Sequence, residues 1–241
     1  MAEIQLPKLK KVGEEGTSVQ VPTENKINPN KKTILLLSDD CRMTSGVGVM
    51  SLELIRQTCQ EYNWIQIGAF LLVYPTSGYG NDELVRQMMS MHKIDAVMIY
   101  TDPRFWKWLF DMSHELRSQV PIFYYNIWDD LPYPMWNEPF YESVDLLMNI
   151  TKQTWNIVRN VRENVPIKDW QNTLVPHGIN EDVFFPINKE HELYPKLLEF
   201  KDKTIRNKST KFIMLWNNRN IRRKLPGDVV LSWKHFLDKL P

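Results

Sequence analysis

The sequence predicts an α/β protein built on a Rossmann-like, doubly wound parallel sheet. Short, mostly apolar segments, such as residues 33–38 and 121–126, alternate with longer segments whose apolar side chains recur at helical spacing. Continuous apolar strands are typical of a parallel sheet covered on both faces, and strand–helix alternation favours right-handed βαβ units. We therefore expect residues 33–186 to form one such domain.

Strand and helix signals follow one another along this domain at regular spacing. Asn81 is the predicted cap of the second helix, because its short side chain can accept a hydrogen bond from a free amide of the first turn. The predicted strands span residues 33–38, 65–73, 94–100, 121–126, 144–149 and 172–175, and the predicted helices span residues 49–59, 81–92, 103–118 and 151–163.

A second strand–helix unit is predicted near the end of the chain. Residues 187–209 form a charged, helical connector, residues 210–216 an apolar strand and residues 229–240 a helix. We interpret residues 210–241 as the beginning of a second Rossmann-like domain. Such a domain needs several more strands to bury its helices, so we expect it to be incomplete in this chain.

Neither a targeting signal nor a membrane-spanning segment is expected from the sequence. Residues 1–32 are polar and lack periodicity, which predicts a flexible extension that is either a tail without function or a segment that docks on a partner. Lysines in place of an apolar core exclude a signal peptide. The longest apolar run, residues 65–74, is half the roughly twenty residues that a bilayer requires, so no transmembrane segment is expected.

The composition is that of a globular protein, with 43% hydrophobic and 24% charged residues. Thirty basic and 29 acidic residues leave a net charge of +1, so no overall field predicts a nucleic acid partner. Cys41 and Cys59 are too few for a disulfide framework and lack metal-ligand spacing. We therefore expect a reducing, cytoplasmic location.

Ligands of such sheets bind beyond the carboxyl ends of the strands. Three of these strand ends carry candidate residues: residues 38–48, 126–134 and 176–180. The first is the loop that contains Gly46 and Gly48. Glycines there let backbone amides approach an anion at a helix N-terminus. The complete dinucleotide fingerprint and the GxxxxGK[ST] phosphate loop are both missing from the sequence.

The second candidate segment, residues 126–137, places Asp129 and Asp130 among aromatic residues. Carboxylates accept hydrogen bonds from hydroxyls and aromatic faces pack on sugar rings, so this combination is typical of a site for a polyhydroxylated ligand. The alternative is a turn whose aspartate caps the next helix and whose aromatic residues belong to the core.

A basic loop in the second unit is a candidate anion site. Residues 219–224 carry four cations at a predicted strand end that faces a helix N-terminus. Arginine offers bidentate contacts and lysine a point charge to a multiply charged anion. The alternatives are a solvated loop and a nucleic acid contact, although no aromatic interleaving supports the latter.

Several motifs in this order carry a resemblance to a known family. They are the loop 45–48 (SGVG), the segment 175–186 (VPHGINEDVFFP), and Arg219 with Lys224. Together they resemble the retaining glycosyltransferases of family four, which have the GT-B architecture of two facing Rossmann-like domains. Residues 151–155 also fit the family, and the similarity covers roughly residues 33–240.

The resemblance implies transfer of a hexose, with retention, from a nucleotide-diphosphate sugar to an unidentified acceptor. It implies that Arg219 and Lys224 hold the donor diphosphate, and that neither a metal nor an organic cofactor is required. Substrate-binding roles are implied for Ser45, Gly46, Gly48, His177, Gly178 and Asn180.

Two departures from the family pattern affect the predicted site. Many members have a histidine before an aspartate where this chain has Trp128, so Asp129 or Asp130 would act in its place as the catalytic carboxylate. The family's acidic motif, two glutamates eight positions apart, is missing from the second domain. We therefore expect activity to require the remainder of that domain, supplied elsewhere.

Two readings from other classes remain beside the enzyme. One is a non-catalytic glycosyltransferase relic, or half of a split enzyme, that binds a protein partner through the surface that the second domain would cover. The other is a receiver-type signalling domain, suggested by Asp39 and Asp40 after the first strand. The length of the chain and the lack of a downstream phospho-acceptor pattern disfavour it.

Overall fold

The computed structural model describes residues 27–69, 79–165, 167–204, 214–218, 220 and 222–239. The chain divides into a first compact unit that ends at Asn180 and a second that begins at Glu181. This division falls inside the segment 175–186. Most of the predicted N-terminal extension lies outside the described residues.

The first unit contains a six-stranded sheet in which all neighbouring strands are parallel, with the order β2-β1-β3-β4-β5-β6. The predicted α/β fold with a Rossmann-like parallel sheet is therefore confirmed. The strands are β1 (Lys32–Asp39), β2 (Tyr62–Ala69), β3 (Ala96–Tyr100), β4 (Ile122–Asn126), β5 (Leu146–Asn149) and β6 (Asn172–Leu174).

Helices follow the strands in the expected alternation, and Asn81 caps α2 by accepting a hydrogen bond from the amide of Leu84, as predicted. The helices of the first unit are α1 (Gly46–Thr58), α2 (Asp82–Met91), α3 (Lys107–Asp111), α4 (Ser113–Arg117), α5 (Glu138–Glu142) and α6 (Lys152–Val161). The helices of the second unit are α7 (Tyr194–Thr204) and α8 (Pro226–Leu237).

The core lies on both faces of the sheet because side chains alternate along each strand. Leu35 and Leu37 of β1 face a cluster that includes buried residues of α2, α3, α4 and α6. Leu36 faces the opposite cluster, where α1 contributes Val47 and Met50. Each fully buried leucine stabilises the fold by about 1.5 to 3 kcal/mol.

The prediction of one continuous helix over residues 103–118 is wrong. The segment consists of a 3₁₀ turn, Pro103–Trp106, followed by α3 and α4. Met112, at φ −97° and ψ 9°, leaves the helical region and separates the two helices. Helix α5 was not predicted, because five residues are too few for a helical period to show in the sequence.

The second unit departs further from the prediction. Helix α7 begins at Tyr194, later than the predicted connector, whose residues 205–209 lie outside the described residues. Helix α8 begins at Pro226, a residue suited to a first helical turn. Of the predicted strand 210–216, the first four residues lie outside the described part of the chain, and residues 214–216 have no regular secondary structure. No helix within the described residues is long and apolar enough to cross a membrane.

Candidate functional site

The candidate site lies at the carboxyl ends of β1 and β3, where the order of the strands reverses. In a parallel α/β sheet, the loops after two such strands leave toward opposite faces and open a crevice between them. Here α1, which follows β1, packs on one face, and the helices that follow β3 pack on the other. Ser38 of β1 and Tyr100 of β3 are paired in the register, so both strands end at this crevice.

The loop between β1 and α1 is held by Asp40, which is only 6% exposed. Its carboxylate accepts hydrogen bonds from the backbone amide of Arg42 at 2.8 Å and from the Arg42 Nε at 2.9 Å. These bonds hold the pKa of Asp40 below its ordinary value. The loop is also tied to β2, because the amide of Cys41 donates to Gln66 at 3.1 Å.

Ser45 closes this loop as the N-cap of α1. Its hydroxyl accepts from the amide of Gly48 at 3.0 Å and donates to the Asp39 Oδ2 atom at 2.6 Å. Ser45 therefore connects the start of α1 to the end of β1. This satisfies one of the free amides at the helix N-terminus.

The two glycines of the loop differ in their surroundings. A Cβ atom on Gly48 would lie 2.7 Å from the Asp40 carbonyl oxygen and 2.8 Å from that of Met43, whereas one on Gly46 would meet no atom within 4 Å. Gly48 is buried and Gly46 is exposed. Close packing thus accounts for Gly48, and the binding roles of both glycines stay predictions.

Tyr79, which precedes α2, lies near the Asp39 carboxylate. Burial, followed by the negative charge of Asp39, raises the pKa of Tyr79 to about 12. The Tyr79 ring stacks on Phe105 with the centroids 4.3 Å apart. The Asp39 carboxylate therefore has the Ser45 hydroxyl as its hydrogen-bond donor and an aromatic pair close by.

The segment after β6 runs back across the carboxyl edge of the sheet. The amide of Val175 donates to the Asn149 carbonyl of β5 at 2.8 Å, and the Val175 carbonyl accepts from the Tyr125 hydroxyl of β4 at 2.9 Å. His177 then reaches β3, where its Nε2 atom lies 3.1 Å from the Tyr100 hydroxyl. This path brings His177 to the same crevice as the Ser45 loop.

The ring of His177 packs against two tyrosines. It is edge-on to Tyr100 and Tyr125, with centroid separations of 5.9 and 5.3 Å. Loss of solvent lowers the pKa of His177 and raises that of Tyr125 to about 12; it raises the pKa of Tyr100 as well. At neutral pH this cluster is therefore uncharged.

The predicted catalytic carboxylates, Asp129 and Asp130, are exposed in the loop after β4. The Asp130 carboxylate accepts from the amide of Leu131 at 3.0 Å, and the Asp129 carbonyl accepts from Gln153 at 2.8 Å. In the described part of the chain, no hydrogen bond joins either carboxylate to the Asp39 or His177 side chains. Because both residues are exposed, their carboxylate oxygens are accessible to solvent.

The remaining predicted residues divide between the two units. Gly178 follows His177, with open space at its Cβ position, and Asn180 is the last residue of the first unit. Lys224 belongs to a 3₁₀ turn, Arg222–Lys224, directly before α8 of the second unit. Arg219 lies outside the described residues, so the geometry of the predicted diphosphate pair stays a prediction.

No binding role was predicted from the sequence for Tyr79, Tyr100 or Tyr125. The signal that could have identified Tyr100 and Tyr125 is their position at the ends of two apolar strands. No cluster of three or more His, Cys, Asp or Glu side chains that could hold a metal occurs among the described residues. Comparison with models of protein families and with curated proteins finds no match to this chain.

Proposed function

We propose that the chain is the acceptor-side part of a retaining hexosyltransferase whose donor is a nucleotide-diphosphate sugar. One observation carries the proposal: two segments expected to bind substrate lie at the same edge of the sheet. Ser45 is bound to Asp39 at the end of β1, and His177 is bound to Tyr100, which pairs with Ser38 of the same strand.

The chemistry of these residues suits a polyhydroxylated substrate. The exposed carboxylates of Asp129 and Asp130 can accept hydrogen bonds from sugar hydroxyls, and they are the proposed catalytic residues. Arg219 and Lys224 are proposed to stabilise the leaving diphosphate by charge, which requires no metal ion. Both Cys41 and Cys59 are free thiols, which supports a cytoplasmic location.

Calorimetry with UDP-glucose and GDP-mannose tests the proposal. We expect at least one of these donors to bind weakly to this chain. In a protein with a complete second domain, we expect the combined substitutions Arg219→Ala and Lys224→Ala to weaken donor binding or turnover by about 2 to 4 kcal/mol, because charged contacts to the phosphates are lost.

The matched control is Lys203→Ala, which removes an exposed lysine of the same unit whose ion pair is with Glu199 on its own helix. This control is expected to leave donor affinity unchanged. Absence of binding by both donors at millimolar concentration would contradict the proposal, and an unchanged affinity in the double variant would remove Arg219 and Lys224 from the site.

A second candidate function is a non-catalytic module that binds a protein partner, including a partner that supplies further parts of the second domain. The observation in its favour is the exposure of large apolar side chains in the second unit: Leu215 is 86% and Val230 70% exposed. Donor binding by this chain at micromolar strength would exclude this alternative.

A further inference from the structure

Tyr100 and His177 form a polar contact between residues 77 positions apart in the chain. Tyr100 is the last residue of β3 and is only 2% exposed, whereas the segment that carries His177 lies at the surface. The two atoms of the contact, the Tyr100 hydroxyl oxygen and the His177 Nε2, can each be donor or acceptor. Which one donates determines where the neutral imidazole carries its proton.

The burial of Tyr100 decides the direction of this hydrogen bond. A buried hydroxyl proton needs an acceptor, and burial raises the pKa of Tyr100, so the proton stays on the oxygen at neutral pH. In the part of the chain that the structure describes, His177 Nε2 is the hydrogen-bond partner of that hydroxyl. A protonated Nε2 would leave the tyrosine proton without an acceptor. The hydroxyl therefore donates to Nε2.

This direction fixes the state of the ring. Loss of solvent lowers the pKa of His177, so the ring is neutral at pH 7 and carries a single proton. With Nε2 accepting, that proton resides on Nδ1. No described residue accepts a hydrogen bond from Nδ1, and His177 is an exposed residue.

We propose that Tyr100 is a positioning residue whose hydroxyl holds His177 in the Nδ1–H tautomer, so that the ring offers a neutral N–H donor to a sugar hydroxyl. A neutral donor suits an uncharged hydroxyl oxygen, whereas phosphate oxygens are commonly bound by arginine and lysine. The tautomer follows from the contact between Tyr100 and His177 and from the burial of the tyrosine, and its use on a sugar rests on the proposed function.

Tyr125 provides the matched control. Its ring also lies edge-on to His177, but its hydroxyl donates to the Val175 carbonyl. Tyr125→Phe thus removes a hydroxyl from the same cluster without touching the bond to Nε2. Tyr100→Phe removes that bond and keeps the ring.

Long-range ¹H–¹⁵N correlation spectra of the labelled chain, recorded at slightly alkaline pH, test the tautomer. His177→Gln identifies the signals of His177 among the five histidines. We expect the Nδ1–H form to dominate in the wild type and in Tyr125→Phe, and to lose that dominance in Tyr100→Phe. A dominant Nε2–H form in the wild type would overturn the assignment, as would a Tyr100→Phe spectrum identical to the wild type.

Titration with UDP-glucose and, separately, UDP tests the ligand role. The His177 Nδ1 signal is expected to shift with UDP-glucose and to remain in place with UDP, and the shift is expected to be reduced in Tyr100→Phe. A bound donor that leaves Nδ1 unmoved would overturn the ligand role. Failure of both UDP-glucose and GDP-mannose to bind would contradict the proposed function while the tautomer result stands.

Discussion

Two pairs of adjacent aspartates lie at the carboxyl ends of strands of the same sheet, and they differ in what their carboxylates contact. Asp39, the last residue of β1, accepts a hydrogen bond from Ser45, and Asp40 accepts from Arg42. Asp129 and Asp130, after β4, are exposed, and the one contact of these two carboxylates in the described residues is with the adjacent amide of Leu131. We therefore infer that the first pair stabilises its loop, whereas the second pair is accessible to a ligand.

Of the two aspartate pairs, the exposed one is expected to have the larger effect on function. Asp129→Asn combined with Asp130→Asn should weaken donor binding or turnover by about 1.5 to 3 kcal/mol, the range for hydrogen bonds to charged groups. Stability should stay within about 0.5 kcal/mol of the wild type, because both side chains are exposed. Calorimetry and urea unfolding measure the two quantities, and the comparison fails if stability falls while binding does not.

The largest effect on stability is expected at Asp40. Asp40→Asn replaces a nearly buried carboxylate that accepts from the amide and guanidinium of Arg42, and should lower the free energy of unfolding by about 1 to 3 kcal/mol. Asp130→Asn is the matched control and should change it by less than about 0.5 kcal/mol. Equal effects in urea unfolding would show that the two pairs do not differ.

Gly48 packs on the backbone of Asp40 and therefore tests how much the loop after β1 contributes to stability. Gly48→Ala should cost about 1 to 2 kcal/mol of stability, since the added methyl would lie 2.7 Å from the Asp40 carbonyl oxygen. Gly46→Ala meets open space in the same helical turn and should be neutral or stabilise by up to about 1 kcal/mol. Thermal unfolding of the two variants would contradict this account if Gly46→Ala were the more damaging.

The smallest expected effect is a difference in acid sensitivity. The bonds from Arg42 hold the folded pKa of Asp40 below 3.8, so its contribution is present above that pH and is lost as the pH falls through the lowered value. Between about pH 5 and pH 3, the wild type should lose more stability than Asp40→Asn. If the stability of the two proteins changed with pH in the same way, Asp40 would not be the source of the acid sensitivity.

The sheet could be predicted because its signal is local. Short, mostly apolar segments mark most of the strands, and Asn81 marks a helix start with its own side chain. Helix α5 and the break at Met112 could not be predicted, since one or two turns show no period and tertiary packing overrides local preference.

The site was predictable in its motifs and not in its contacts. The Ser45 loop and His177 were found from their glycines and strand ends, but the bond between His177 and Tyr100 joins positions 77 apart, which only the fold brings together. The two aspartate pairs look alike in the sequence. Their difference comes from Arg42 and Ser45, whose contacts depend on the folded loop.

We expect substrate to bind at the carboxyl edge of the sheet, and amide shifts mapped during titration with UDP-glucose can locate it. The largest shifts are expected at residues 45–48, 129–130 and 177. Saturable shifts confined to the opposite edge, around Asp95 and Asp145 at the amino ends of the strands, would contradict this expectation.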